Sequence, residues 1–262
     1  MWRKAAPELL PWQERVIRDM RRDGIACTSL EEMFGEREQL ATLERFAAQA
    51  KLTTGRPNRK KRFLFDYWPQ SGPLDTSNPF LSLSLGNEAL QLANAYLELR
   101  TKLNYFHLAD TLPEDSTEAI DSQRWHRDPE EQRLCKMFVY LTDVDETAGP
   151  FTYVRGSTRG GIYGSLFPQQ RPLGAYPDNA EVERAIDPSD IVTMTGKAGT
   201  VIFCDTSGLH KGGHATGKVR TMFTAFYTSP WWVERPHYTL PADILASDYS
   251  PDAAYALSLS QK

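Results

Sequence analysis

The chain has 262 residues, 40% of them hydrophobic and 24% charged, with a formal net charge of -4 at pH 7. That length is ample for a buried core. The composition excludes a disordered chain, and the weak negative charge excludes a general pull toward nucleic acid or an anionic membrane surface.

Residues 1–101 read mostly as helix. In "PWQERVIRDMRRDG", Trp12, Val16, Ile17 and Met20 share a face, Pro11 suits a first turn and Gly24 suits a stop. "REQLATLERFAAQAK" repeats the pattern with Leu40, Leu43, Phe46 and Ala47. Between them, "GIACTSLEEMFG" has room for a short strand. A Gly- and Pro-punctuated loop follows, carrying a basic knot of Arg56, Arg59, Lys60, Lys61 and Arg62. The knot is read as solvated, with binding of a phosphate-bearing part of a substrate as its functional alternative. "NPFLSLSLGNEALQLANAYLELR" reads as helix interrupted near Gly86.

From Lys102 the texture changes to short strands. "KLNYFHLA" is a candidate, and "LCKMFVYLTDV" alternates Cys135, Met137, Val139 and Leu141 against Lys136, Phe138, Tyr140 and Thr142. "GPFTYVRGS", "IVTMTG", "GTVIFCDT" and "VRTMFTAFYTS" follow, separated by Gly, Pro and Asp turns. Strands without long helices between them argue for a sandwich or jelly-roll barrel. "PQQRPLGAYPDNAEVERAI" is long enough to act as a lid or substrate loop. The expected fold is α+β with a mainly β core, a jelly roll carrying an N-terminal helical layer. The expected organisation is one domain over 1–262: helical layer 1–101, core 102–230 and polar tail 231–262. The apolar runs are too short for a membrane span. "MWRKAAPELLPWQERV" lacks the apolar core of a secretory signal. Cys27, Cys135 and Cys204 suggest no disulfide framework, so a cytoplasmic location is expected. Cys135 and Cys204 are read as buried small hydrophobes.

The chemistry starts in "SQRWHRDPEEQ". If this stretch is extended, His126 and Asp128 point to one face and Arg127 to the other. An imidazole beside a carboxylate makes two-thirds of a facial metal triad, and a distant His must complete it. His210, in the Gly-rich turn of "GTVIFCDTSGLHKGGH", is the candidate; His214 competes and is read as a solvated loop residue. His107 is read as a core or pocket residue, and His237 as surface or substrate-facing. Arg220 follows His210 by ten residues and opens a strand whose face also carries Met222, Thr224 and Phe226. An Arg on an inward apolar face needs an anionic partner, which a dicarboxylate co-substrate would supply. Trp231 and Trp232 are read as one core residue and one pocket cap.

"SQRWHRD", "KMFVYLTDVDETAGPFTYVRGS" and "AGTVIFCDTSGLHKGG" with the later Arg resemble the phytanoyl-CoA dioxygenase family of Fe(II)/2-oxoglutarate oxygenases, over residues 103–228 in order. The resemblance implies a cupin-like double-stranded β-helix. It implies His126, Asp128 and His210 as catalytic iron ligands, Arg220 as the anchor of the distal 2-oxoglutarate carboxylate, and Fe(II), 2-oxoglutarate and O2 as requirements. Asn104 and Tyr140 are assigned to co-substrate contacts, with a simple strand-edge hydrogen bond the equal alternative for Asn104, and Trp125, Phe138 and Tyr140 to cavity walls. The family's P-G-S-H stretch reads "RGST" here, with Arg155 and Thr158; that histidine is not a ligand. Some relatives carry Gly or Ala at the metal-binding Asp and halogenate, so Asp128 favours hydroxylation of an aliphatic C–H on a small molecule. Desaturation, epoxidation or cyclisation by the same centre, and a silent cupin-like binding module, are the alternatives. No nucleic-acid or membrane partner is expected, and neither the primary substrate nor the oligomeric state is set.

Overall fold

The computed structural model describes residues 8–35, 38–69, 71–115, 118–170 and 175–259. Helix α1 (Pro11–Asp23) begins on Pro11, whose missing amide costs nothing in a first turn, while Gln13 Oε1 accepts from the Leu10 amide at 2.9 Å. It ends at Gly24, where φ is 82° and the amide donates back to the Met20 carbonyl. Val16, Ile17 and Met20 form its buried stripe, as their spacing predicts. Strand β1 (Ile25–Ser29) follows at once, and the Ser29 hydroxyl caps α2 (Leu30–Phe34) by accepting from the Glu32 amide. Helix α3 (Glu38–Thr53) buries Leu43, Ala47 and Ala50. Short strands β2 (Arg56–Pro57), β3 (Leu64–Asp66) and β4 (Gly72–Pro73) run through the basic loop and beyond it. Gly86 separates α4 (Pro79–Leu85) from α5 (Asn87–Leu97).

The core strands are β5 (Lys102–Thr111), β6 (Cys135–Tyr140), β7 (Phe151–Val154), β8 (Ile191–Met194), β9 (Thr200–Cys204), β10 (His210–Lys211) and β11 (Arg220–Thr228). Helix α6 (Asn179–Ala185) lies in the insertion between β7 and β8; β12 (Tyr238–Thr239) and α7 (Pro251–Ala256) close the chain. The large sheet has the order β1-β9-β6-β11-β5-β3-β2, antiparallel throughout, and the small sheet the order β10-β7-β8. Alternation along β6 builds both cores. Cys135, Met137 and Val139 join the helical layer, while Phe138 and Tyr140 pack with Phe151 and Tyr153 between the sheets. Each such side chain contributes roughly 1.5–3 kcal/mol by leaving water. The result is the expected jelly roll with helices on one face.

Two features refine the expected layout. Residues 1–101 are more than a helical layer, because β1 forms one edge of the large sheet and β2 and β3 the other. A sheet edge left bare would expose unpaired amides, and these strands cover both edges of the core. The C-terminal stretch is more than a polar tail, because Ala253 and Ala256 of α7 and the Leu257 that follows it are buried in the core that holds α4 and α5. Cys135 and Cys204 are buried and unpaired. Among the described residues, no helix is long and apolar enough to cross a membrane.

Candidate metal centre

The "RWHRD" stretch is extended but joins a sheet only by one bridge. The His126 amide donates to the His210 carbonyl at 2.8 Å and the His210 amide returns the bond at 2.9 Å. This bridge sets His126 and His210 side by side, with ring centroids 4.2 Å apart. Alternation then aims Asp128 at the same point. Its Oδ1 lies 3.8 Å from His126 Nε2 and 3.9 Å from His210 Nε2. Ligand bonds of about 2.0–2.2 Å put facial donors roughly 3 Å apart, so these two Asp128–His pairs need contraction of under about 1 Å to bind an ion.

The protonation states suit a metal. His126 Nδ1 meets the Arg124 carbonyl at 2.8 Å and His210 Nδ1 meets the Gly208 carbonyl at 2.9 Å. A carbonyl only accepts, so each Nδ1 carries the proton and each Nε2 offers a lone pair. Burial holds His126 below the usual histidine range. Burial and the neighbouring His126 hold His210 down to about 3, so both rings are neutral at physiological pH. Burial alone would push the Asp128 carboxyl up, but the Lys136 ammonium, by its charge and its hydrogen bond, outweighs it and holds the group ionised, well below the usual carboxylate range. His126, Asp128 and His210 are also the one His/Cys/Asp/Glu group among the described residues whose donor atoms converge for a metal, all within 4.8 Å.

Lys136 is the part of this centre that sequence reasoning passed over. Its Nζ donates to Asp128 Oδ2 at 2.5 Å, leaving Oδ1 facing the imidazoles. It stands 5.0 Å from the Phe226 ring centroid and 5.8 Å from that of Tyr105. The available signal was a lysine on the inward face of an otherwise apolar strand. From the insertion, Gln169 Nε2 donates to the Asp128 carbonyl and the Tyr176 ring sits 5.7 Å from the His126 ring. The expected lid position is therefore partly seen; residues 171–174 lie outside the described residues.

Arg220 opens β11 directly opposite Thr111 of β5. It is 3% exposed and donates to the Gly149 and Gly212 carbonyls and, at 3.1 Å, to Thr111 Oγ1. Its Nε has no partner, and no carboxylate lies within ion-pair distance of it among the described residues. A buried guanidinium held only by neutral acceptors keeps an uncompensated charge. It shares a cavity of ≈ 200 Å³ with His126, Asp128, His210, Lys136 and Phe138. Gly213 is required at the rim: its φ is 74°, and a Cβ there would stand 2.3 Å from the Pro150 carbonyl.

The other expected residues divide. Phe138, Met222 and Thr224 line the cavity, and Phe226 packs on Tyr105 beside it. Tyr140 does not line it; it is fully buried between the sheets, and its hydroxyl donates to the Met194 carbonyl at 2.8 Å. Asn104 does not line it either. It is the extra residue where the β5–β11 register shifts, while Tyr105, His107, Ala109 and Thr111 form the cavity side of β5. Trp125 is core, packed with Val154, Val182 and Leu209 away from the cavity. Arg127 points away, as alternation requires, and donates to five carbonyls, those of Ser157, Tyr163, Leu166, Phe167 and Ser207. His107 is a pocket histidine, 3.0 Å from Asp66 Oδ1. His237 stacks on Tyr105 at 5.1 Å. His214 is not a solvated loop residue, since both its ring nitrogens are buried, with Nδ1 4.0 Å from Glu114. Within the basic knot, Arg59 and Lys60 are exposed, but Lys61 turns inward to donate to Ser122 Oγ at 2.9 Å and lines the cavity. Trp231 is 77% exposed, whereas Trp232 is half-buried.

Comparison with known proteins bears out the resemblance drawn from the motifs. Residues 116–222 match the family model for phytanoyl-CoA dioxygenase (PhyH). An ectoine dioxygenase of Bordetella bronchiseptica is 33% identical over 100 residues, 34% of this chain. That match spans about a third of the relative's own length, 32%. Among solved structures, the epimerase SnoN in complex with Fe3+, alpha ketoglutarate and nogalamycin RO superposes with a TM-score of 0.63 at 18% identity, covering 86% of this chain and 87% of that one. EctD from S. alaskensis with bound Fe gives 0.59 at 20% identity, covering 86% and 80%. These structural likenesses establish the jelly-roll fold.

Proposed function

We propose that this chain, similar over residues 116–222 to the phytanoyl-CoA dioxygenase family, is an Fe(II)/2-oxoglutarate-dependent oxygenase that hydroxylates an aliphatic C–H of a small molecule. The observation that carries the reading is one cavity holding both halves of the required site. Two neutral imidazoles and a carboxylate converge at one end, and a buried arginine without an anionic partner among the described residues stands in the same wall. His126, Asp128 and His210 would hold Fe(II), since two His and one carboxylate leave coordination positions open. Arg220 would take the distal carboxylate of 2-oxoglutarate as a charge-assisted pair. When bound, the iron supplies coupled use of O2 and 2-oxoglutarate, giving succinate, CO2 and a hydroxylated product.

The protein's own contribution is placement. The Arg124 and Gly208 carbonyls hold each imidazole in the tautomer that presents Nε2. Lys136 fixes Asp128 through Oδ2, so that Oδ1 remains the donor. Phe138, Phe151 and Met222 keep the cavity wall apolar and exclude water from the reacting C–H. In this reading the whole of 1–262 serves as one catalytic domain. Asp128 supports hydroxylation, because it fills the position that halogenating relatives leave to Gly or Ala.

The test is succinate release from 2-oxoglutarate with added Fe(II), together with calorimetric 2-oxoglutarate binding. Arg220→Ala is expected to weaken that binding by roughly 10²-fold or more, the effect of removing one partner of a buried charge pair. Unchanged affinity in Arg220→Ala, or no succinate from the wild type across a metabolite panel, removes the assignment.

A further inference from the structure

The reaction cavity is too small for its task. At ≈ 200 Å³ it falls below the roughly 300–1,000 Å³ of ordinary ligand sites, and 2-oxoglutarate must occupy part of it. A second cavity of ≈ 360 Å³ adjoins it, with Tyr105 in the wall of both. Phe46, Trp68, Leu74 and Phe106 give it a mostly apolar lining. A third cavity shares Lys61, Leu64 and His107 with the reaction cavity and Phe106 and His237 with the aromatic one; Glu130 and the stacked Tyr105–His237 pair also line it.

Charge points the same way. The reaction cavity is lined by three cationic side chains, Lys61, Lys136 and Arg220, against one carboxylate, Asp128. Fe(II) and a 2-oxoglutarate dianion would cancel, leaving the excess of two positive charges in place. Lys136 is committed to Asp128, and Arg220 to 2-oxoglutarate in the proposed function. Lys61 remains, with the neutral Ser122 hydroxyl as its hydrogen-bond partner. Burial and the nearby Lys136 disfavour its charge and outweigh Asp128 and Asp121, which favour it, so an anion brought to hydrogen-bond distance would stabilise it.

We infer that the primary substrate is an amphiphilic carboxylate: its carboxylate pairs with Lys61, its apolar body lies in the aromatic cavity, and its reacting end reaches the metal centre. This rests on the oxygenase reading for the reaction, but the two binding subsites are testable without turnover. The probes are 2-naphthylacetate and its neutral analogue 2-naphthylacetamide, titrated calorimetrically into the full chain. The carboxylate is expected to bind at least roughly tenfold tighter than the amide. Lys61→Gln should abolish that preference, and Ala50→Phe, which fills the aromatic cavity, should weaken both probes about tenfold. Thr53→Trp, at the exposed rim, repeats the filling test should Ala50→Phe fail to fold. Equal affinity for both probes, binding of neither, a preference that survives Lys61→Gln, or filling variants that bind normally would each overturn the inference. A carboxylate preference in a chain that never yields succinate would instead defeat the oxygenase reading and leave the subsites standing.

Discussion

The chain buries two regions that each hold an aspartate and an arginine, and they behave oppositely. Asp205 is surrounded by neutral donors: Tyr96 Oη at 2.8 Å, the Ser207 amide at 3.0 Å and the Leu134 amide at 3.3 Å. Burial pushes its carboxyl above the usual range. Next to it, Arg127 spends its guanidinium on five carbonyls, one of them Ser207. That region is a closed knot that ties the turn before His210 to the insertion. Asp128 is surrounded by a cation and two lone pairs, and Arg220 keeps one N–H unpaired. That region is open. The difference teaches that burial alone does not mark a functional charge; unspent bonding capacity facing a cavity does.

The comparison breaks first on Asp128. Asp128→Ala should abolish Fe(II)-dependent succinate release, by roughly 10³-fold or more, and should also cost about 3 kcal/mol of stability, because it leaves the buried Lys136 ammonium unpaired. Asp205→Asn should leave release intact. If both variants lose turnover while folded, the two regions are not functionally distinct. Arg127→Met should leave five carbonyls short of a donor and cost about 3 kcal/mol or more, lowering Tm by about 10 °C. Arg220→Met should lower Tm far less, because fewer of its bonds are protein bonds. Equal losses in a thermal scan would contradict the contrast. Lys136→Met should weaken metal binding about 10–100-fold by freeing the Asp128 carboxylate. Tighter metal binding, read by calorimetry, would show that Lys136 only repels the ion.

The smallest effect is in pH. His210 has a folded value of about 3 against 6.5 for the free side chain. A lowered imidazole adds stability that is complete above 6.5 and is lost as pH falls toward about 3. Asp205 runs the other way. Its raised carboxyl adds stability that is complete below its ordinary value of 3.8 and is lost as pH rises through the folded value. Urea unfolding of metal-free protein from pH 4 to 7 should therefore show a steeper gain with pH in Asp205→Asn than in the wild type. An identical slope would mean that Asp205 titrates in the knot as it does in water.

Much of this was legible from local pattern. The stripe Val16, Ile17 and Met20, the break at Gly86 and the alternation of β6 follow from helical and strand periods, which need no distant partner. The convergence of His126, Asp128 and His210 was legible because few residue types can ligate a metal and their order along the chain is informative. Asn104 was misjudged because a register shift in β5 cannot be seen in the strand's own residues. Tyr140 was misjudged for a different reason: alternation put it on the inner face, but it packs with Phe151 and Tyr153 and spends its hydroxyl on the Met194 carbonyl, contacts with strands distant in sequence.

By itself, then, the sequence determined which faces are apolar, where elements stop and which side chains are able to ligate a metal, since those are properties of a few neighbouring residues. Only the tertiary structure decided that Lys136 meets Asp128, that Lys61 leaves its basic loop for the cavity, and that Arg220 is left without an anion. Each of those is a meeting between strands or loops far apart in the chain. Sheet order and register set such meetings, and neither is encoded in the period of any one segment.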